Sequence, residues 1–163
     1  MGQMTKEIRM AGYGGDILSV FGNINGFANI ITPASNSITI ILAFEIGVLK
    51  QNTPKGAHQL SVTNASKFNT DKKKYLFLNG LNNYLVQSVI EDRIILAAPL
   101  VEGHPINQPV YMVKAISYYL GVSSGKTVLR RNENTGGGGQ PLAENIESLE
   151  FTYFDLNGNV TAN

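Results

Sequence analysis

Cysteine is absent from this chain of 163 residues. Its absence excludes disulfide bonds, metal sites built from thiolates and cysteine nucleophiles. It does not locate the protein, because an exported protein can lack disulfides as easily as a cytosolic one.

Excess charge and long apolar runs are also missing. The formal net charge is +1 and only 15% of the residues are charged, so no nucleic-acid partner is expected. The sequence contains neither a run of about 20 apolar residues nor a secretory signal pattern. With an apolar fraction of 43%, residues 1–163 are expected to form one globular domain with a sizeable core.

A short helix is predicted at the N-terminus. Met4, Ile8 and Ala11 follow the i, i+4, i+7 spacing of one apolar helix stripe, and Gly12 is a plausible C-terminal stop. A helix of about three turns is marginal alone in water. It therefore has to dock on a sheet or continue upstream of Met1.

The remainder of the chain is predicted to be rich in strands. Apolar and polar residues alternate, or short apolar runs occur, over 38–46, 60–62, 74–78, 84–90, 93–98, 110–120 and 126–131. Hairpins are expected across 91–92 and across 121–125, and residues 13–36 are expected to form an irregular connection. One helix laid against antiparallel sheet gives an expected fold class of α+β.

The C-terminal region carries a third hairpin signal. Leu149, Phe151 and Tyr153 alternate with polar residues, which predicts a half-buried edge strand. The dipeptide 157–158, Asn-Gly, suits a tight type I′ turn. Ile146 has the opposite parity, so a bulge or short turn is expected just before Leu149.

Two segments of the sequence resemble a known family. Residues 141–159, PLAENIESLEFTYFDLNGN, are similar to the C-terminal segment of minor type IV pilins of the PilW type. Residues 6–13, KEIRMAGY, contain the stretch RMAGY, which resembles the end of the long N-terminal helix in that family. The related minor pseudopilins of type II secretion carry a similar C-terminal strand. A weaker likeness covers the middle of the chain and carries over no functional residue.

The resemblance implies a pilin-like head with a second sheet. Residues 1–12 would be the C-terminal part of the pilin helix and 13–163 the β-rich head. It implies a precursor held in the inner membrane, with a short basic leader and about 20 apolar residues running into Met4. After cleavage by a prepilin peptidase, the subunit would enter a pilus near its tip, or a periplasmic pseudopilus. Its partners would be other minor and major pilin subunits, and it would be neither an enzyme nor the holder of a cofactor.

Two alternatives to the pilus subunit stay open. A minor pseudopilin of a type II secretion system is the nearer one, although the stretch RMAGY favours the pilus branch. An adhesin module that binds glycans or surfaces is the other, and it would need exposed aromatic rings. The pair Tyr118–Tyr119 is expected to place one ring on each face of a sheet, one in the core and one on the surface.

Motifs of catalysis occur only in broken form. Residues 121–125 satisfy G-x-S-x-G, with Ser123 in the nucleophile position, but a nucleophile elbow requires a helix after it and a histidine downstream. The following segment is β-rich, and both His58 and His104 lie upstream. The overlapping phosphate-loop pattern fails because Leu120 stands where glycine is needed. A hairpin loop is the preferred interpretation, and no catalytic residue is predicted.

Metal sites are likewise not predicted. Asp155, Asn157 and Asn159 alternate like calcium ligands, but glycine and a later glutamate are not where an EF-hand needs them, so a plain turn is preferred and calcium stays open. His58 and His104 have no carboxylate or cysteine at ligand spacing. Other charged residues are expected to be solvated: Lys67, Lys72, Lys73, Lys74, Glu144, Glu147 and Glu150.

Overall fold

The computed structural model describes residues 2–11, 23–68, 74–78, 82–154, 157 and 159–161. Within these ranges the chain forms one α-helix, one short 3-10 helix at Ala65–Phe68 and eleven strands. The elements are α1 (Gly2–Met10), β1 (Ile31–Ala34), β2 (Ser37–Val48), β3 (Gln59–Ser61), β4 (Tyr75–Phe77), β5 (Asn83–Ile90), β6 (Arg93–Leu96), β7 (Pro109–Ser123), β8 (Lys126–Asn132), β9 (Gln140–Glu144), β10 (Tyr153–Phe154) and β11 (Val160–Thr161).

The expected α+β class with a second sheet is wrong. The molecule is mostly β, and its body is one curled antiparallel sheet of nine strands in the order β1-β2-β7-β4-β5-β6-β3, with β8 and β9 branching from β7. Apart from this sheet, the described residues contain only the ladder of β10 and β11, which has two residue pairs. Strands from 31 to 144 join a single hydrogen-bonded network, and the helix contributes only nine residues.

Strand β7 organises the sheet because its fifteen residues can pair with three other strands. One edge pairs with β2 along most of its length, while β4 and β8 share the other edge. The sheet therefore divides beyond β7 into two branches. The branch through β4, β5, β6 and β3 curls back until Val62, just after β3, bridges Leu49, just after β2. Apolar side chains from both ends of the curl fill its interior, among them Leu49, Leu60, Phe68, Leu76, Ile94 and Leu100.

Both hairpins expected in the middle of the chain are confirmed. β5 and β6 are joined by Glu91–Asp92, with Glu91 in the left-handed region at a φ of 55°. β7 and β8 are joined by Ser124 and Gly125, both with positive φ (51° and 76°). Positive φ at both central residues matches the twist of the flanking strands, as in type I′ turns.

The connection expected over 13–36 contains a strand that the sequence pattern did not indicate. β1 pairs with β2 through a tight turn between Ala34 and Ser37. Pro33 is tolerated there because β1 is an edge strand, where a missing N–H costs no ladder bond. Residues 13–22 of this connection, and the expected helix stop at Gly12 before it, lie outside the described residues.

The edge strand predicted over 149–153 is wrong for most of its length. The chain leaves the sheet at Asn145, which has a φ of 57°, and residues 145–152 form no strand. Phe154 in β10 then pairs with Val160 in β11, so this hairpin has a wider turn than the predicted two-residue one. Asp155 and Gly158 lie outside the described residues.

Candidate functional site: the helix–sheet junction

Helix α1 packs on one face of β2 and β7. The floor of this junction is an apolar cluster from the two strands, comprising Ile38, Ile40, Leu42, Ile116 and Tyr118. Met4, Ile8 and Ala11 pack against it, so the predicted stripe is the docking face of the helix. Phe151, from the segment that follows β9, packs on the same cluster. The helix and the C-terminal segment therefore pack on the same apolar cluster of the sheet, which we call the apolar seat.

A charged pair adjoins this apolar cluster and is joined to it through Tyr118. Arg131 of β8 donates from Nε to Glu7 Oε2 and from Nη2 to Glu7 Oε1, both at 3.0 Å. The side chains of Arg131 and Glu7 are only 14% and 11% exposed. Such a two-pronged arrangement fixes both the position and the plane of the carboxylate.

Further donors complete the coordination of the Glu7 carboxylate. The hydroxyl of Tyr118, a fully buried residue, donates to Oε2, and Gln3 donates to Oε1 at 3.2 Å from one helical turn earlier. Three elements, α1, β7 and β8, thus meet at one side chain. The apolar stripe anchors the helix by packing, and Glu7 anchors it by hydrogen bonds to two strands.

The network extends from Arg131 along the sheet. Arg131 Nη1 donates to Glu133 Oε1 at 3.0 Å, and Lys114 Nζ donates to the same oxygen at 3.1 Å. Two cations and two carboxylates therefore alternate across β7, β8 and the helix. The charges balance within the network, which is the condition for burying them.

The environment favours the charged form of the acids. Burial alone would raise the pKa of Glu7, but hydrogen bonds from Arg131, Tyr118 and Gln3 and the charge of Arg131 hold it below its usual value. Burial, the hydrogen bond to Glu7 and its negative charge raise the pKa of Tyr118. Although burial disfavours its charge, the pKa of Arg131 is raised by Glu7 and Glu133.

This arrangement is suited to holding elements together rather than to proton transfer. A general acid or base needs a pKa near the working pH, whereas Glu7 is held ionised and Tyr118 and Arg131 are held protonated. Sequence reasoning missed Glu7 and Arg131 as functional residues. A signal for Glu7 was present, because it lies three residues after Met4 and four before Ala11, inside the apolar stripe.

An apolar groove of about 410 Å³ opens beside the start of the helix. One wall is Gln3 and Met4, and the others are Leu129 of β8 and residues of β9 and the segment after it. The remaining lining residues are Leu142, Ala143, Ile146, Ser148 and Leu149. The two sequence segments that carry the pilin resemblance meet on the apolar cluster beside this groove, where both Ile8 and Phe151 pack.

The structure gives no support to Ser123 as a nucleophile. Ser123 is an exposed residue at the end of β7, and a strand rather than a helix follows it. His104 precedes the start of β7 and Ser123 is its last residue, so the fifteen residues of this strand, roughly 45–50 Å when extended, lie between them. His58 is exposed beside β3. The predicted hairpin is confirmed, but its loop consists of Ser124 and Gly125 alone, because residues 121–123 are paired with β8.

His104 is buried rather than set in an open site. Its backbone pairs with Thr53 in both directions, at 2.9 and 2.8 Å, and its Nε2 has no hydrogen-bond partner among the described residues. Burial lowers the pKa of the imidazole, while the charge of Glu102 opposes this effect. The residue fastens two loops together.

The remaining charged candidates are mostly solvated or lie outside the described chain. Lys72, Lys73 and Asp155 are among the residues that the structure does not describe. Glu147 and Glu150 are exposed, as expected, and so is Glu144, which pairs with Lys126 at 3.3 Å. Asn157 and Asn159 are exposed. No group of three or more His, Cys, Asp or Glu residues is arranged to hold a metal ion within the part of the chain that is described.

The expectation for the tyrosine pair is confirmed. Tyr118 is fully buried, while Tyr119, on the opposite face of β7, is partly exposed. Tyr118 is therefore part of the junction and is not available as a surface for ligands.

Comparison with known proteins finds no family model, no curated protein and no solved structure that matches this chain. Of the helices that the structure describes, none has the length and apolar character required to cross a membrane.

Proposed function

We propose that this chain is a structural minor subunit of a type IV pilus that acts in pilus assembly at or near the tip. One observation carries the proposal. The two segments that resemble minor pilins, 6–13 and 141–159, are far apart in sequence but meet at the helix–sheet junction. Ile8, Met10 and Ala11 of the first segment and Phe151 of the second pack on the same apolar cluster of β2 and β7.

The junction gives the short helix a rigid place on the head. Alone, nine residues would not form a stable helix, but the apolar stripe and the bonds of Glu7 fix it on β2, β7 and β8. A subunit held in a filament through its helix would transmit load to its head through this contact. The Glu7–Arg131 pair resists sliding of the helix along the apolar seat, because sliding would leave two buried charges without their partners.

The outer face of the helix carries exposed cations that could contact neighbouring subunits. Lys6 and Arg9 are exposed on α1, and neither forms an ion pair with a described residue. Glu147 and Glu150 are exposed near the groove. Complementary charges of this kind set register and encounter rate between subunits more than affinity.

The proposal is tested genetically, by counting surface pili on whole cells. Deleting the gene in the cell that carries it is expected to reduce or abolish surface pili, counted by electron microscopy. Wild-type chain supplied in trans should restore them. Arg131→Ala should restore them poorly, whereas Lys126→Ala, which removes an exposed cation of β8, should restore them fully.

Two outcomes would contradict the proposal. Normal pilus number and length after deletion would exclude a role in assembly. Normal pili combined with loss of secreted proteins from the medium would instead point to a pseudopilin of a secretion system. Cellular levels of each variant, measured by immunoblot, separate failed assembly from degradation.

A further inference from the structure

A polar cavity of about 420 Å³ lies on another part of the molecule. Three chain segments enclose it: the turn at 23–26, Tyr75 of β4 and the loop at 134–136. The volume falls within the roughly 300–1,000 Å³ of small-molecule sites. The described lining residues are Asn23, Asn25, Gly26, Tyr75, Asn134, Thr135 and Gly136.

One wall of the cavity is held in place by hydrogen bonds of Asn134. Its side-chain amide donates to the carbonyl of Ala115 at 3.1 Å and to Ser117 Oγ at 2.8 Å, and its backbone N–H donates to Asn132 Oδ1 at 2.9 Å. Asn134 has a φ of 55°, a conformation that asparagine tolerates better than most residues. The loop is thereby tied to β7 and presents Thr135 to the cavity.

The opposite wall is a tight turn anchored in the core. Ile24 is fully buried and pairs with Phe27 through reciprocal backbone bonds of 2.9 and 3.1 Å. Between them Asn25 and Gly26 both have positive φ (53° and 97°), and Asn23 Oδ1 accepts the N–H of Gly26. The backbone of Asn25 is therefore held in place before any ligand arrives.

Three polar groups of the lining are not used by the fold. The amide of Asn25 and the hydroxyls of Tyr75 and Thr135 form no hydrogen bond with any described residue. An amide presents both a donor and an acceptor, and a hydroxyl can act as either. The cavity thus offers mixed donors and acceptors on walls that are already fixed.

The chemistry of the lining defines the class of ligand. Among the described residues the cavity has no charged side chain, and enclosing an ion without a partner charge is costly. The lining is too polar for a purely apolar ligand, and the ring of Tyr75 adds one apolar surface. We propose that this cavity binds one unit of a neutral saccharide, with its hydroxyls bonded to Asn25, Tyr75 and Thr135 and a C–H face on the ring.

The test uses the intact chain and defined sugars. Glucose, galactose, mannose and N-acetylglucosamine are each titrated to about 10 mM, which gives about 90% saturation for a Kd of about 1 mM. Binding is followed through chemical shifts of the backbone amides. At least one sugar is expected to shift the amides of 23–26, 75 and 134–136 with saturation. Glucuronate, which adds a carboxylate, is expected to bind more weakly than glucose.

Two variants address the proposed contacts, each with a matched control. Tyr75→Phe keeps the ring and removes the hydroxyl, and Tyr119→Phe makes the same change outside the cavity. Asn25→Gly removes the amide at a left-handed residue, and Asn145→Gly does so at the same conformation elsewhere, with a φ of 57°. Glycine is compatible with both positions. Loss of one neutral hydrogen bond should weaken binding about threefold to tenfold.

Each result decides the question. Weaker binding in Tyr75→Phe and Asn25→Gly, with unchanged binding in the two controls, supports the site. The proposal is overturned if none of the four neutral sugars shifts these amides, if the shifts do not saturate, or if the controls lose affinity equally. Tighter binding of glucuronate than of glucose would also overturn it. None of these results bears on pilus assembly, so the two proposals stand or fall separately.

Discussion

Arg131 donates two hydrogen bonds of 3.0 Å to Glu7, which lies 124 residues earlier in the sequence. The contact joins the N-terminal helix to a strand near the other end of the chain. It is also mostly buried, with the two side chains 14% and 11% exposed. Its energetic consequences are therefore different from those of the ion pairs on the surface.

We predict that Arg131→Ala lowers the free energy of unfolding by about 3–5 kcal/mol, because it leaves the Glu7 carboxylate buried without its counter-charge. Arg131→Lys should cost less, since it keeps the charge but loses the planar fork. The measurement is urea unfolding followed by circular dichroism. Lys126→Ala is the control, because Lys126 and Glu144 are 54% and 61% exposed and such pairs contribute about 0–1 kcal/mol.

A double variant tests whether the loss comes from the unpaired charge. Glu7→Gln combined with Arg131→Met removes both charges, so its destabilisation is expected to be smaller than the sum of the two single variants. Strict additivity would show that the two residues act independently and would contradict the role given to the pair.

Acid should weaken the junction through its carboxylates. Because the folded state holds the pKa of Glu7 below its usual value of 4.5, the ionised form contributes stability above the pKa of the unfolded chain. That contribution is lost as the pH falls from about 4.5 through the folded value. The stability advantage of wild type over Glu7→Gln is therefore expected to shrink over this range.

Unfolding free energies at several pH values between 7 and 3 check this prediction. Glu147→Gln removes an exposed carboxylate and should follow the wild-type curve. A constant difference between wild type and Glu7→Gln at all pH values would show that Glu7 does not titrate differently in the folded and unfolded states.

The sequence predicts the sheet's long strands well but not their assembly. β2, β5 and β7 were recognisable because apolar residues persist along them, and the turn at Ser124–Gly125 lies between two strong strand patterns. β1 was not predicted because it has only four residues, inside a region rich in glycine and asparagine. The α+β expectation failed because local patterns do not reveal that one strand, β7, takes three partners.

The C-terminal segment shows how alternation can mislead. Leu149 and Phe151 have strand periodicity, yet they belong to residues 145–152, which form no ladder. Leu149 lines the groove, while Phe151 packs on the seat of the helix. Two apolar residues with one polar residue between them fit an irregular segment that packs beside a helix as well as they fit a strand. The partner of Glu7 could not be predicted at all, because Arg131 is distant in sequence and several other arginines were available.

His104 should make stability depend on pH near neutrality. Burial lowers its pKa below the ordinary 6.5, so the unfolded chain binds a proton more readily than the folded one. Stability is then fully present above about pH 6.5 and falls as the pH drops below it. His104→Asn is expected to make the unfolding free energy depend less on pH between pH 7 and 5. The control His58→Asn, at an exposed residue, should leave that pH dependence unchanged. An equal slope in His104→Asn would contradict this role.

Among the glycines that the structure describes, Gly47 is the one where an added methyl group would meet other atoms at the shortest distance. It follows an irregularity in the pairing of β2 with β7, between Glu45 and Gly47. A Cβ added there would meet the backbone oxygen and Oγ1 of Thr63 at less than any normal contact distance. Thr63 cannot retreat, because its Oγ1 accepts the N–H of Val48 at 2.8 Å and its own N–H donates to the carbonyl of Val48 at 3.0 Å.

Gly47→Ala is therefore expected to cost about 1–3 kcal/mol through overpacking. In a domain of this size that corresponds to a fall in Tm of about 3–10 °C. Gly137→Ala is the matched control, because an added Cβ there has no atom within 4 Å and its Tm should stay close to wild type. Equal Tm values for the two variants would mean that β2 shifts away from Thr63 at little cost. The closure of the sheet between β2 and the end of β3 would then be looser than these contacts indicate.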